Sequence, residues 1–284
     1  FAIFDYDIYV ICSDGDMMEG ISSEAASLAG HLGLSNLCWI YDCNHISIEG
    51  HTQLAFTEDI AERFLAYGWQ VHRVSDANDQ ERLAEALEQF RRTDNGPSFI
   101  IVESHIGYGA PHKQDTSAAH GEPLGEEEIR LAKRNYGWPE DAKFLVPEAV
   151  PEHFRAGIGQ RGRQLREAWR GLRDAYNRQY PDLAAELDKL LAGNPPAGWD
   201  KALPSFPADA KGLATRESSA KVLNAIAPAY PWLLGGAADL SPSTKTNLTF
   251  AGAGELEPGN PGGRNLHFGI REHAMGAITN GLVL

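Results

Sequence analysis

Asp14 and Asn44 are the residues whose types and spacing best suit chemistry. Asp14 follows the apolar run Ile8-Tyr9-Val10-Ile11-Cys12 within "CSDGDMMEG", and Asn44 stands 30 positions later in "YDCNHISIEG", at the end of a second apolar run. If both runs are parallel strands, Asp14, Asn44 and the carbonyl of Ile46 meet at one carboxyl-terminal sheet edge, where open α/β sheets hold their ligands. A carboxylate, an amide and a carbonyl form a hard-oxygen donor set suited to Mg2+ shared with a diphosphate, and Ca2+ could substitute. Gly15 lets a phosphate approach the backbone. The competing reading is a pair of turn residues at strand ends, the ordinary role of an isolated Asp-Gly.

A second candidate lies near the end of the chain, where "HFGIREHAMGAITNG" places Arg271, Glu272 and His273 at the mouth of a small-residue helix. Charges at a helix start commonly serve as caps, yet a carboxylate entering an apolar helix is also how an acid of raised pKa is built. Other motifs fail on inspection. A calcium loop beginning at Asp14 would need glycine at Glu19 and a bidentate glutamate at Ala25. Ser218-Ser219-Ala220-Lys221 matches S-x-x-K without its companion motifs, and neither a P-loop nor a strand-borne G-x-G-x-x-G occurs.

The elements that must position these residues alternate between strand and helix. Residues 8–12, 37–41, 69–74 and 98–103 read as strands, the first two buried, and residues 20–33 and 58–67 read as helices, the latter with Thr57 as N-cap. Asn78 and Glu81 cap a further amphipathic helix carrying Leu83, Leu87 and Phe90. The fold class expected is α/β, a parallel sheet flanked by helices, followed by a second, truncated α/β domain. Residues 104–124, with His105, His112 and His120 among glycines and prolines, form a long loop of the kind that carries function. Between 161 and 180, arginines 163, 166, 170 and 173 share one helical face, read as solvated. The Pro/Gly/Ala-rich stretch 192–212 reads as a linker; beyond it come a helix at 215–229, a short strand at 232–235 and a last helix from about 270.

Composition narrows the partners. The 284 residues carry 39 acidic against 25 basic side chains, net −14, which leaves no electrostatic footprint for nucleic acid or an anionic membrane. Cys12, Cys38 and Cys43 are odd in number and lack CxxC spacing, against both a disulfide framework and a zinc site and in favour of a reducing, cytoplasmic location. No apolar run approaches the roughly 20 residues of a membrane span, so a soluble protein is expected. The chain opens on Phe1 and stops inside a rising helix, and is expected to be an internal segment of a longer protein.

The blocks "DGDMMEGISSEAASLAGHLGLSNL", "YDCNHISIEG", "IGYGAPHKQDTSAAHG", "LATRES", "GGAADLSPS" and "GIREHAMGAI" resemble, in order and across the whole chain, those of the transketolase family. The resemblance implies the end of a diphosphate-binding domain over 1–191, a linker over 192–212, and the start of a pyrimidine-binding domain over 213–284. It implies thiamine diphosphate with Mg2+ as cofactors, the metal held by Asp14, Asn44 and the Ile46 carbonyl, and Gly15 facing the diphosphate. His120 would meet cofactor and substrate, Arg216 and Ser243 would hold the sugar phosphate, and Asp239 would lie near the thiazolium. Glu272 would hydrogen-bond the aminopyrimidine and promote formation of the cofactor carbanion. A two-carbon glycolaldehyde unit would then pass, as an enamine, from a ketose phosphate to an aldose phosphate. The resemblance also implies a homodimer with active sites between subunits, to which the small-residue helix after Glu19 is suited. Ser13 stands where the family signature has its first glycine. A deoxyxylulose phosphate synthase, a pyruvate dehydrogenase subunit, or a cofactor-binding or dimerisation fragment without turnover are the alternatives; "AAHG" and "TRES" favour transketolase over the other enzymes.

Overall fold

The four apolar runs form one parallel sheet, β1 (Ile8–Ser13), β2 (Leu37–Cys43), β5 (Gln70–Val74) and β6 (Ser98–Glu103), in the order β1-β2-β6-β5. The computed structural model describes all residues, 1–284, in two compact units: residues 6–145, and residues 1–5 with 146–284. In the first unit, β1 leads through α1 (Asp14–Met18) into α2 (Gly20–Leu32), and a small hairpin of β3 (Ile46–Ser47) and β4 (Gly50–His51) follows β2. Helices α3 (Ile60–Ala66) and α4 (Gln80–Arg92) flank β5, and α5 (Glu126–Asn135) follows the long loop after β6.

Alternation along the central strand β6 decides the layers. Phe99 and Ile101 join Ala26, Ala29, Phe64 and Trp69 on one face, with Phe64 and Phe99 stacked at 3.8 Å between centroids. Ile100 and Val102 join Cys38, Val74, Ala86 and Phe90 on the other. Against the expectation of burial on both faces, β1 is an edge strand: it pairs only with β2 and leaves Ile11 80% exposed. All three cysteines are free and buried, and burial pushes their thiols up, to about 12 for Cys12 and Cys38 and about 11 for Cys43.

Two helix starts differ from expectation for one reason. Asp59 rather than Thr57 caps α3, and Asp79 rather than Asn78 caps α4, each aspartate accepting the N–H three residues on. A carboxylate is the stronger partner for the positive end of a helix. Helix α2 is thin because it must be: a Cβ on Gly30 would stand 1.9 Å from the backbone oxygen of Tyr67, and the Trp69 indole donates to the Ala26 carbonyl at 2.8 Å.

The second unit opens with α6 (Ala149–Phe154), which runs through a π-helical turn at Arg155–Gly159 into α7 (Gln160–Gln179), followed by α8 (Pro181–Leu191). The Trp169 indole donates to the Ile3 carbonyl, tying the N-terminal residues to α7. Arg173 departs from the solvated face expected of it. It is buried, donating to Asp188 of α8 at 2.5 Å and to the Ala184 carbonyl, because α8 folds back over that part of α7. Beyond a 3₁₀ turn at Trp199–Ala202 come α9 (Thr215–Ile226), β7 (Gly235–Ala237), α10 (Ser241–Thr244), β8 (Asn265–His267) and α11 (Glu272–Val283). Strands β7 and β8 pair in parallel. The strand expected at 232–235 begins three residues later, at Gly235, and runs to Ala237, with Gly235 and Gly236 inside it: a Cβ on either would meet the oxygen of Thr246 or Leu266 within 2.5 Å. No helix is long and apolar enough to cross a membrane.

Candidate active site

Asp14 begins α1 directly after β1 and is 2% exposed. One carboxylate oxygen accepts the Tyr41 hydroxyl at 2.7 Å; the other accepts the backbone N–H groups of Asn44 and His45 at 3.2 and 3.1 Å. The parallel register that sets Ser13 beside Asp42 brings these residues together across 30 positions of sequence. Desolvation of Tyr41, its bond to Cys43 and the neighbouring Asp14 carboxylate push its phenol well above the ordinary value, so its proton stays in place as a donor. The Asn44 side-chain oxygen in turn accepts the Ile46 N–H at 3.1 Å. Asp14 thus clamps the 44–46 loop to the end of β2.

Ser13 fits its place without strain. Its backbone is extended (φ −135°, ψ −174°), a conformation open to any residue, and its N–H donates to Asp16 at 2.8 Å as the reciprocal half of a capping box. Gly15, by contrast, has neither a positive φ nor a crowding neighbour: a Cβ there would meet no protein atom within 4 Å. Packing within the chain does not require glycine at this point.

Gly15, Asn44, Ile46 and His120 line one cleft of about 820 Å³ at the carboxyl edge of the sheet. The Asp14 side chain instead lines an adjoining cavity of about 350 Å³ with Tyr41, Cys43, His45 and Glu103. The structure therefore gathers four of the expected residues in one cleft and sets the fifth beneath the loop that carries two of them.

Sequence reasoning gave no role to Tyr41, Ser104 or His105. Ser104 donates to Asp42, and the His105 ring lies 3.0 Å from the Asp115 carboxylate; Ser104 and His105 line the large cleft with Asp42. The histidine-rich loop was the available signal, but Asp115, ten residues on and at φ 57°, becomes a partner only once that loop has folded. His112 serves to anchor it: its backbone N–H and ring bond to Glu128 at 2.7 and 2.9 Å and hold that carboxyl below the usual range.

The remaining expected residues belong to the second unit. Arg216 is exposed in the first turn of α9, Ser243 is exposed in α10, and Glu272 is exposed as the first residue of α11. Asp239 lies two residues past β7 in a left-handed conformation (φ 59°), which aspartate tolerates better than most residues. Because Ala237 pairs with His267 in parallel, the segments carrying Asp239 and Glu272 leave the same edge of this small sheet. Glu272 does not enter an apolar enclosure within its own unit, as its place before a small-residue helix had suggested; the first turn of α11 leaves it facing solvent.

Residues 1–196 match the family described as transketolase, thiamine diphosphate binding domain, and residues 211–284 match transketolase, pyrimidine binding domain. A transketolase of Geobacillus stearothermophilus is 48% identical over 284 residues, all of this chain and 42% of that protein. Transketolase-1, chloroplastic, of Arabidopsis thaliana is 43% identical over 283 residues, 99% of this chain and 38% of its own length. The transketolase of Pichia stipitis solved with sedoheptulose-7-phosphate superposes with a TM-score of 0.93 at 42% identity, over 99% of this chain and 42% of that one. The chain thus spans about two-fifths of the length of such relatives. With both domains matched and the α/β fold shared throughout, the chain belongs to the transketolase family.

Proposed function

We propose that this chain forms the cation- and diphosphate-binding part, and the start of the pyrimidine-binding part, of a thiamine diphosphate-dependent transketolase. Such an enzyme moves a two-carbon glycolaldehyde unit from a ketose phosphate to an aldose phosphate. One observation carries the reading: Gly15, Asn44, Ile46 and His120 converge on a single cleft, with the buried Asp14 carboxylate bonded to the loop that presents two of them. The donors fit the group. Carboxylate, amide and carbonyl oxygens suit Mg2+, and Gly15 leaves open the space that a diphosphate needs.

When bound, thiamine diphosphate supplies a nucleophilic thiazolium carbon and Mg2+ neutralises the diphosphate charge. Asp14, Asn44 and the Ile46 carbonyl would hold the cation, and the Gly15 N–H would be available to the diphosphate. His120 offers a ring nitrogen to substrate and cofactor from the far end of the loop. Arg216 and Ser243 bind the sugar phosphate, the planar guanidinium pairing with two of its oxygens. Glu272 would hydrogen-bond the aminopyrimidine, and Asp239 would lie toward the thiazolium.

The reading extends to domains at 1–191 and 213–284 joined by a linker, and to a homodimer in which Glu272 serves the cleft of the partner subunit. The small residues of α2 support close subunit packing, although Ala26 and Gly30 already meet Trp69 and Tyr67 of their own unit. Buried free thiols suit a reducing compartment, here the cytoplasm. In the full-length protein carrying this sequence, Glu272→Ala should lower sugar-phosphate exchange by about 10²-fold or more, the usual worth of acid–base catalysis, while Mg2+-dependent cofactor binding persists. Unchanged exchange would remove Glu272 from the reaction.

A further inference from the structure

Asp14 has a second set of neighbours that the magnesium reading leaves unused. In the 350 Å³ cavity its carboxylate, the Cys43 thiol and the His45 ring present donor atoms that all lie within 4.8 Å of one another. Cys43 Sγ is 3.7 Å from His45 Nε2, and that nitrogen is 3.1 Å from a carboxylate oxygen of Glu103. Tetrahedral zinc, with bonds of about 2.3 Å to sulfur and 2.0–2.1 Å to nitrogen or oxygen, holds neighbouring donors about 3.3–3.6 Å apart. The separations of 3.7 and 3.1 Å lie on either side of that range.

Charge and backbone point the same way. Of the carboxylates that line the cavity, Glu58 pairs with Arg63 and Asp59 with Arg73, which leaves Asp14 and Glu103 without an arginine or lysine partner beside the Cys43 and His45 donors. His45 holds its ring beside Cys43 from a left-handed backbone (φ 61°), a conformation that glycine adopts without cost. The donors also differ in kind from those of the neighbouring cleft. Thiolate and imidazole select borderline and soft cations, whereas the oxygens of Asn44 and Ile46 select hard ones. This departs from the expectation of no zinc site, because CxxC spacing is needed only where two thiolates come from one turn and not where a thiolate and an imidazole share the cation.

We infer that Cys43, His45 and Glu103 bind a borderline transition cation of the Zn2+ class beside the magnesium cleft, with Asp14 remaining a ligand of the magnesium. Binding forms a metal–sulfur bond and releases the thiol proton to solvent, with no change of oxidation state. The site needs neither thiamine diphosphate nor sugar phosphate, so it stands or falls independently of the proposed function.

The test uses Co2+ as the spectroscopic probe, added to the full-length protein under reducing conditions with Mg2+ in excess. The inference predicts a near-ultraviolet thiolate-to-cobalt charge-transfer band and intense tetrahedral visible bands saturating at one equivalent, both displaced by Zn2+. Cys43→Ser should abolish the charge-transfer band. His45→Gly, which removes an exposed ring from a backbone that glycine suits, should weaken binding by roughly tenfold or more, at least the scale at which even supporting residues act on metal sites. Absence of the band in the unaltered protein, or its persistence in Cys43→Ser, would overturn the inference.

Discussion

Removing one oxygen atom from Tyr41 isolates the bond on which the site rests. The Tyr41 hydroxyl donates to Asp14 at 2.7 Å, and both residues are buried, at 3% and 2% exposure. A hydrogen bond to a charged acceptor contributes about 1.5–3 kcal/mol, and a carboxylate only 2% exposed is poorly placed to replace a lost donor with water. Tyr41→Phe keeps the ring, and with it the stack on Phe99 at 5.8 Å, so little packing is lost. The variant should therefore be destabilised by about 1.5–3 kcal/mol, a roughly 10- to 150-fold shift of the folding equilibrium. Asp14 would still accept from Asn44 and His45, so the 44–46 loop should stay in place and cofactor binding should weaken far less than on loss of Asp14 itself. Denaturant unfolding at neutral pH reads the first quantity, and calorimetry with thiamine diphosphate and Mg2+ reads the second. A loss below about 0.5 kcal/mol would refute the reasoning, since it would put the Tyr41–Asp14 bond within the range of an ordinary surface change.

Two further perturbations probe the scaffold. Gly30→Ala should destabilise by about 1–3 kcal/mol although alanine is the better helix former, because its Cβ would stand 1.9 Å from the Tyr67 backbone oxygen; a rise in denaturation midpoint would show that α2 can move away. Burial lowers the His72 pKa and leaves its Nε2 without a partner, so the folded chain resists a proton that the unfolded chain accepts. The stability this preserves is complete above the unfolded value near 6.5 and is lost as pH falls through it toward the lowered folded value. His72→Leu should narrow the difference in stability between pH 7.5 and pH 5, and an unchanged difference would show that His72 does not contribute to it.

The sequence carries local signals well and long-range ones poorly. Strand β6 is readable residue for residue, because a continuous run of large apolar side chains at the centre of a parallel sheet has no other use. Glycines mislead where packing gives them a second purpose. The strand read at 232–235 stops at Gly235, yet Gly235 and Gly236 both lie inside the observed one because two backbones come too close for a Cβ. Arg173 reads as solvated because nothing in the periodicity of α7 announces that Asp188 will fold over it. In the site, Asp14, Gly15 and Asn44 are readable from residue type and position at strand ends. Tyr41 is not, since an aromatic in an apolar strand signals only core, and its bond to Asp14 exists only in the β1–β2 register.

The central claim is that the Asp14–Asn44 edge holds the cation and, through it, the diphosphate. Thiamine diphosphate affinity, measured by calorimetry at saturating Mg2+ in the full-length protein and its Asp14→Ala and Asn44→Ala variants, tests it most directly. The account predicts a loss of about tenfold or more in each variant, with the remaining binding no longer dependent on Mg2+. Unaltered affinity that still depends on Mg2+ in both variants would contradict it.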